Sequence, residues 1–243
     1  MLNFGQAPNL GSAADFVLFS SVGAVTNVGT TDDAKYLTYL TGNVGTNSGS
    51  STGFGNVNGV MHDGDGASNT CAADLLLAYN FLDAAIPDST ILDPVLGNDS
   101  TILAGTYLLA GATSLNLTLI LDAQGDPNAV FIFQASTTLI TAANSNVVFL
   151  NGASSCNVYW QVGSSATLGT NSFLEGTVLS TFSISANTGT RIHGRLLALD
   201  GAVTLLSNTI NIEGCGTPTI IPTNGTTVPS SNLSLIHISE PTR

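Results

Sequence analysis

The residues that could carry acid–base chemistry are few and scattered along the chain. The one basic cluster is "RIHGR" at residues 191–195, and no pair of carboxylates lies near it in the sequence. General acid–base catalysis and glycoside hydrolysis both depend on such paired groups. We therefore interpret His193 as a solvated turn residue rather than as a general base.

The segment "HDGDG" at residues 62–66 resembles part of a calcium loop, with Asp63 and Asp65 at alternating positions. The Glu that completes such a loop is missing at the expected spacing, and Asp-Gly pairs more often form turns. No Ser/His/Asp constellation or phosphate-binding glycine loop stands out. The sequence therefore predicts neither a metal nor a cofactor, and no catalytic residue.

Small uncharged side chains, by contrast, recur at regular spacing in the second half of the chain. Four segments contain them: "TAAN" (141–144), "TLGT" (167–170), "SANT" (185–188) and "TLLS" (204–207). Aligned on the repeats described below, they form one register of Thr141, Thr167, Ser185 and Thr204 and another of Asn144, Thr170, Thr188 and Ser207. Stacked coils would turn these registers into a flat array of hydroxyls and methyls. The alternative is that Thr and Ser are there only because they favour strands and turns.

The charge of the chain limits its partners. Of 243 residues only 8% are charged, against about a quarter in an ordinary soluble domain. The net charge is −12, with Lys35, Arg191, Arg195 and Arg243 as the only Lys or Arg residues. Binding to nucleic acid or to an anionic membrane needs a basic patch, so we expect neither partner. No apolar run approaches the roughly 20 residues of a membrane-spanning helix, so we expect no membrane insertion either.

A repeat of about 20 residues indicates the fold. Short β-branched runs punctuated by Gly and Asn form units at 157–176, 177–194 and 195–214, each ending in Gly, and 129–152 fits with a longer loop. A period of this length without an internal helix favours a β-solenoid, with one coil per repeat. An antiparallel sandwich is the alternative. Matching apolar positions in successive units favour the solenoid, because stacking makes them a continuous core.

One long helix precedes these repeats. In "SNTCAADLLLAYNFLDAA", residues 68–85, the apolar positions have helical spacing, and we predict a helix over about residues 69–86. The candidate N-caps are Ser68, Asn69 and Thr70, and Pro87 ends the helix. Its broad apolar face predicts that it lies against a larger body.

The three cysteines, Cys71, Cys156 and Cys215, lack metal-binding spacing. Cys156 and Cys215 each lie near a repeat boundary, and we favour a disulfide between them over free thiols. Cys71 is then a buried small hydrophobe at the start of the helix.

The two ends of the chain differ from the solenoid. The N-terminus shows no basic start followed by an apolar stretch, so we expect Met1 to be an internal start or the true N-terminus to lie upstream. We assign residues 1–216 to the solenoid domain and 217–232 to a Pro/Thr/Ser-rich linker. Residues 233–243, "LSLIHISEPTR", look like translated sequencing adapter, and we expect the natural chain to continue after the linker into a further domain or a cell-surface anchor.

Over residues 9–216 the chain resembles the widespread microbial ice-binding (antifreeze) protein family. The matching segments include "ADLLLAYNFL" (73–82), "DAQGDPNAVFIFQ" (122–134), "CNVYWQVGSSATLGT" (156–170) and "GRLLALDGAVTLLSNTI" (194–210), of which "DAQGDPNAVFIFQ" and "YWQVG" (159–163) are specific. The resemblance implies a mainly β fold: a discontinuous, right-handed, three-faced β-solenoid with one long helix packed alongside. It also implies that the N-terminal segment completes the solenoid beyond the helix.

The resemblance also implies a function for the hydroxyl array, namely binding to ice crystals with thermal hysteresis and inhibition of ice recrystallisation. A Thr-Ala/Gly-x-Thr/Asn pattern of some members is matched by Thr141, Ala142 and Asn144. It is matched less well by Thr167 with Thr170, approximately by Ser185, Ala186 and Thr188, and least by Thr204 with Ser207. We expect a secreted or cell-surface monomer. The alternatives are an extracellular adhesin or matrix module and a polysaccharide-active β-helix enzyme.

Overall fold

A computed structural model describes residues 5–28, 38–55 and 57–215 as short parallel strands that stack, coil upon coil, beside one helix. The predicted mainly β solenoid with a single flanking α-helix is confirmed. The predicted linker (217–232) and the predicted adapter-derived tail (233–243) lie outside the described residues.

The strands, numbered β1 to β23 in chain order, form three faces. Face A stacks β7 (Met61–Asp63), β4 (Asn43–Ser48), β1 (Phe16–Val22), the second half of β21 (Arg191–Asp200), the second half of β19 (Phe173–Ser180), β17 (Val158–Val162), β14 (Phe131–Ala135), β11 (Gly105–Leu109) and β8 (Ser89–Ile91). Face B stacks β5 (Ser51–Thr52), β2 (Val25–Asn27), β22 (Val203–Leu205), β20 (Ile184–Ala186), β18 (Ala166–Leu168), β15 (Leu139–Thr141), β12 (Thr113–Asn116) and β9 (Val95–Gly97). Face C stacks β6 (Val57–Asn58), β3 (Tyr39–Thr41), β23 (Thr209–Asn211), the first halves of β21 and β19, β16 (Asn146–Leu150), β13 (Thr118–Asp122) and β10 (Ser100–Leu103).

Glycine closes the coils where faces C and A meet within β19 and β21. Gly176 and Gly194 pair with each other in adjacent coils and have φ angles of +104° and +150°. A Cβ on Gly194 would collide with the carbonyl of Gly176, so the stacked corner leaves no room for a side chain. These are the closing glycines of the repeats in the sequence.

The order of the coils in space differs from their order in the chain, as the resemblance implied. The last C-terminal coil pairs with the N-terminal segment on all three faces, through β21 with β1, β22 with β2, and β23 with β3. The helix then returns the chain to the opposite end of the stack, where β8 begins the continuous run of coils. We call the junction between the last C-terminal coil and the first N-terminal coil the seam.

Inward side chains fill the solenoid with columns of apolar residues. On face A the rings of Phe133 and Trp160 stack at a centroid distance of 4.3 Å, and Tyr107 stacks on Phe133 at 5.7 Å. These three residues come from strands that are neighbours in the sheet. Their continuous burial is the core that the matching apolar positions predicted.

The helix, α1 (Gly66–Asp83), begins earlier than predicted. Asp65 is the N-cap: its carboxylate accepts from the Ser68 amide at 2.8 Å, while the Ser68 hydroxyl accepts from the Asp65 amide at 2.8 Å. Ser68, which we predicted as a cap, is therefore the third helical residue of a reciprocal capping box. The predicted end at residue 86 is also wrong, since the helix ends at Asp83.

The helix packs on face A with one stripe only. Cys71, Leu75, Ala78, Tyr79 and Leu82 are buried against the outward residues of that face. Two glutamines of the face hold the C-terminal part of the helix: the Gln134 amide donates to the carbonyls of Leu82 and Ala85, both at 2.7 Å, and the Gln161 amide donates to the Tyr79 hydroxyl at 2.7 Å. Face A is thus covered, which leaves faces B and C open to solvent.

Candidate functional site

Face B presents one outward side chain per coil in an unbroken line. The strand pairings align these residues across all eight strands, in the order Val95, Ser114, Ile140, Thr167, Ser185, Thr204, Thr26 and Thr52. We call this line the outer column. Five adjacent members, from Thr167 to Thr52, carry hydroxyls, and each of the eight is exposed or partly exposed.

The outer column is flat and uncharged. Its eight strands contain no Asp, Glu, Lys, Arg or His, and at a strand spacing of about 4.8 Å the column is roughly 34 Å long. Face C differs, since Glu175, Arg191 and His193 all project from it. Thr combines a methyl and a hydroxyl on a stiff β-branched stem, so the array is rigid as well as neutral.

Three predicted residues lie in the outer column, and two N-terminal residues were missed. Thr167, Ser185 and Thr204 occupy adjacent coils, as their predicted common register requires. Thr26 and Thr52 continue the line because the N-terminal segment inserts next to the last coil. The signal for Thr26 is present in the sequence, since "VTN" (25–27) has the same apolar-Thr start as "VTL" (203–205).

Two predicted residues point into the protein instead. Thr141 is 3% exposed, and its hydroxyl accepts from the Gly169 amide at 2.8 Å and donates to Ser172 at 3.2 Å. The strand that carries it pairs Ile140, not Thr141, with Thr167. A slip of one residue moves a side chain to the other side of a strand, so the predicted register was wrong at this coil. Ala186 is likewise 1% exposed and inward.

The predicted second register lies at the corner between faces B and C. Thr170 and Thr188 are exposed there. Asn144 is out of register with them, because its amide donates to the Thr170 carbonyl at 2.9 Å, and in a parallel pairing this bond places Asn144 opposite Asn171. Asn144 and Ser207 have φ angles of +59° and +55°, which are turn conformations. The four residues therefore do not form one line.

Ala142 follows the outer column toward this corner and is partly exposed. Its amide donates to the Leu115 carbonyl of the preceding coil at 2.8 Å. It lies at the edge of face B rather than in the outer column.

Many of the remaining hydroxyl and amide side chains are internal. Inside the corner between faces B and C, Thr190 donates to the carbonyls of Gly169 (2.8 Å) and Asn187 (2.7 Å), and the Asn208 amide donates to Asn187 at 2.7 Å. Ser20 and Thr46 do the same inside the corner between faces A and B. Buried carbonyls need such partners, so these residues are structural.

The titratable residues that converge lie on face C in the two coils that precede the last C-terminal coil, where the Glu175 carboxylate is nearly buried and the His193 side chain is 33% exposed. His193 Nδ1 lies 3.2 Å from Glu175 Oε2, and His193 Nε2 lies 2.9 Å from the Glu213 carbonyl and 3.4 Å from Ser155 Oγ. Burial raises the pKa of Glu175 to about 7, and the charge and hydrogen bond of His193 oppose that shift. The Ser, His and Glu side chains meet only in the fold, which is why the sequence did not reveal them. Ser155 is 3% exposed, which leaves no access for a substrate.

A disulfide joins Cys156 and Cys215 beside this cluster, across 59 residues of sequence. Cys71 is a free, fully buried thiol beneath the helix, and burial raises its pKa far above the usual range. A thiol that stays protonated is a poor nucleophile.

Four concavities of the described surface lack a group of converging reactive side chains. They border the helix or the β3–β6 edge, and none is lined by more than one carboxylate. Within residues 5–28, 38–55 and 57–215, no three His, Cys, Asp or Glu side chains are grouped to hold a metal. No helix in that part of the chain combines the length and apolar character needed to cross a membrane.

Fold and face together define a class: a discontinuous β-solenoid that buries one face under a helix and exposes a second, uncharged face lined by hydroxyls. The chain belongs to the Ice-binding-like family, whose model matches residues 20–211.

Individual relatives support the assignment. An ice-binding protein of Nostoc sp. (strain HG1) is 38% identical over 230 residues, covering 93% of this chain and 80% of that protein. The crystal structure of an ice-binding protein from an Antarctic Flavobacteriaceae bacterium superposes with a TM-score of 0.80 at 46% identity, covering 85% of this chain and 47% of that one. The ice-binding protein of the Antarctic ascomycete Antarctomyces psychrotrophicus gives 0.79 at 40% identity, covering 85% and 98%. The chain thus spans about half the length of the Flavobacteriaceae protein.

Proposed function

We propose that this protein adsorbs to ice through the outer column of face B. The observation that carries the proposal is the run of five adjacent Thr and Ser side chains, from Thr167 to Thr52, on a face without charge. A charged side chain holds a hydration shell that does not match an ice lattice. Methyls and hydroxyls in a regular array order surface water without holding it, and many weak contacts act together on an extended solid.

Adsorption of this kind produces thermal hysteresis and inhibits recrystallisation. The family membership and the names of the relatives favour ice binding over the polysaccharide-active enzyme, which needs paired carboxylates on an open surface. The protein acts as a secreted or cell-surface monomer, and a domain or anchor beyond the linker would hold a cell or matrix at the ice. An adhesin role is compatible with ice binding when both reside in one chain.

The test replaces single residues of the outer column. Thr167→Tyr and Thr204→Tyr put a bulky ring on the flat face, and we expect each to reduce thermal hysteresis by about tenfold or more, the scale of a central contact residue. Because both side chains point outward, we expect the melting temperature to stay within about 3 °C, as for surface substitutions. The measurements are thermal hysteresis and ice recrystallisation inhibition of the full chain.

Thr209→Tyr on face C is the matched control, since Thr209 is outward and partly exposed but lies on another face. It should retain full activity. No hysteresis and no recrystallisation inhibition in the folded parent protein would reject ice binding and favour the adhesin module. Activity retained by both face B variants, or lost only in Thr209→Tyr, would show that face B is not the contact.

A further inference from the structure

Arg195 is a buried charge whose hydrogen-bond partners among the described residues are all neutral. It projects from β21 toward the helix side of the solenoid, is 2% exposed, and forms no ion pair in the part of the chain that the structure describes. Its partners are neutral: the Ala14 carbonyl, 2.9 Å from Nε and 2.7 Å from Nη2, the Cys215 carbonyl, 2.7 Å from Nη2, and the Thr177 hydroxyl, 3.4 Å from Nη1. Desolvation lowers the pKa of the guanidinium, and the nearby Tyr159 and Asp15 offset only part of that effect, so this arrangement is costly to maintain.

The partners of Arg195 lie in three separate parts of the chain. Ala14 is in the single 3-10 turn that leads into β1, where the inserted N-terminal segment begins. Cys215 follows β23, where the last C-terminal coil ends. Thr177 belongs to the preceding coil. One side chain therefore joins the first and last elements of the seam to the continuous stack.

The seam crosses the outer column between Thr204 and Thr26. On one side stand Thr167, Ser185 and Thr204, and on the other Thr26 and Thr52, which reach face B only because the inserted segment pairs with the last coil. Where the chain runs directly from one coil into the next, the short connection limits how far their strand register can shift. Across the seam no such connection exists, so the strand register depends on non-covalent contacts.

We propose that Arg195 is a positioning residue for ice adsorption, because its guanidinium pins the inserted N-terminal segment to the last coil and keeps Thr26 and Thr52 in line with Thr204. The activity part of this inference rests on the proposed function, and the pinning part does not. Arginine suits the task because its planar fork reaches two carbonyls at once, whereas a lysine ammonium is a single point donor. An apolar residue of similar volume could fill the space but would leave the Ala14 and Cys215 carbonyls unpaired.

The pinning is tested by hydrogen exchange on the full chain carrying Arg195→Met. We expect amides of residues 16–28 and 39–48 to exchange about tenfold faster or more, the scale set by two buried carbonyls losing their donor, while residues 158–168 keep their protection. Arg191→Met is the matched control, since Arg191 lies on the same strand but is exposed on face C. It should leave both regions unchanged.

The positioning role is tested by a double-substitution cycle in thermal hysteresis. Arg195→Met and Thr26→Tyr should each lower activity, and the double variant should match Thr26→Tyr within about twofold, because both changes act through the same part of the outer column. A residue that only stabilised the fold would add its own loss to that of Thr26→Tyr.

Arg195→Lys keeps the test decisive if the Met variant does not fold. The lysine retains a cation but can satisfy only part of the carbonyl set, so exchange should still rise in residues 16–28 and 39–48. Unchanged or uniformly increased exchange in both variants, or losses that multiply in the cycle, would overturn the proposal. If the parent protein has no ice activity, the proposed function fails, while the exchange pattern still supports or rejects the pin.

Discussion

Single hydroxyl groups in this chain have two different roles, and a shift of one residue decides between them. Thr167 is outward and exposed, whereas Thr141, in the neighbouring strand, is inward and hydrogen-bonded. Both look alike in the sequence, since each opens a four-residue segment that ends in Asn or Thr, "TAAN" (141–144) and "TLGT" (167–170). Only the pairing of Ile140 with Thr167 separates them.

This difference predicts opposite outcomes for two conservative substitutions. Thr141→Val removes the acceptor of the Gly169 amide and should lower the free energy of unfolding by about 1–3 kcal/mol, the cost of an unsatisfied buried donor. Its ice activity per folded molecule should not change. Thr167→Val, measured in parallel, should leave stability within about 0.5 kcal/mol, as surface changes do. Urea denaturation with recrystallisation assays checks both, and lost activity with intact stability in Thr141→Val would place Thr141 at the ice contact after all.

The Glu175–His193 pair predicts a pH dependence of stability. Because burial raises the pKa of Glu175 to about 7 from its ordinary 4.5, the folded protein binds more protons than the unfolded chain between these values. Its contribution to stability is therefore complete below about pH 4.5 and is lost as the pH rises through about 7. Glu175→Gln, which cannot ionise, should become more stable relative to the parent protein across this window. The gain is at most about 3.5 kcal/mol, since the pKa rises from 4.5 to about 7 and one pKa unit corresponds to about 1.4 kcal/mol, and partial solvent screening makes it smaller.

Urea denaturation at several pH values measures this difference. Glu213→Gln is the control, because the Glu213 backbone also contacts His193 but its side chain belongs to an exposed residue, and this variant should track the parent protein. An unchanged pH slope in Glu175→Gln would show that the buried carboxyl is not the group responsible.

At the scale of elements, the helix shows how a cap can be hidden by another pattern. "HDGDG" looked like part of a metal loop or a turn, yet Asp65 within it is the N-cap of α1. His62 donates to the same carboxylate at 2.7 Å. The hydrogen bond from the Ser68 amide has the larger effect on the pKa of Asp65 and the bond from His62 the smaller, and together they lower that pKa to about 2. The carboxylate is therefore charged and able to cap at any ordinary pH.

Removing this cap should weaken the helix. Asp65→Ala is expected to lower the free energy of unfolding by about 0.5–2 kcal/mol, the usual cost of losing an N-cap side chain. Asn69→Ala, an exposed first-turn residue that we also considered as a cap, should cost less than about 0.5 kcal/mol. Thermal and urea denaturation compare the two, and an equal or larger loss in Asn69→Ala would contradict the assignment of Asp65.

The helix has more apolar side chains than the solenoid covers. Leu76, Leu77 and Phe81 are 49%, 67% and 40% exposed, although they belong to the apolar run that predicted the helix. Face A accepts only the stripe from Cys71 to Leu82, because a straight helix presents one side to a flat sheet. The helically spaced apolar positions 71, 75, 78, 79 and 82 are the ones that face the solenoid, whereas the broad apolar face that the sequence suggested is narrower in the structure.

At the scale of the whole molecule, the interrupted order of the coils creates the candidate contact. The hydroxyl-bearing outer column draws Thr167, Ser185 and Thr204 from the C-terminal half and Thr26 and Thr52 from the N-terminal segment. The Cys156–Cys215 disulfide and the hydrogen bonds of Arg195 both fasten the end of the last coil, next to the seam. A covalent link and a buried arginine thus both lie beside the point where the order of the coils is interrupted.

The sequence by itself determined the solenoid, the single helix and a surface with few charged side chains. Repeat length, apolar spacing and composition are local properties, and they point to one architecture because every coil repeats the same physical requirements. The resemblance in "DAQGDPNAVFIFQ" and "YWQVG" coincides with Gln134 and Gln161, which hold the helix on face A.

Only the tertiary structure decided which hydroxyls face outward. Thr141 and Thr167 differ by one step of register, and side chains alternate between inside and outside at every step of a strand. Thr26 and Thr52 joined the outer column through the pairing of the N-terminal segment with the last C-terminal coil, and the likeness of "VTN" to "VTL" does not by itself specify that pairing. Register and long-range pairing are settled when the coils stack, because the cost of burying or exposing a side chain depends on the neighbouring coil.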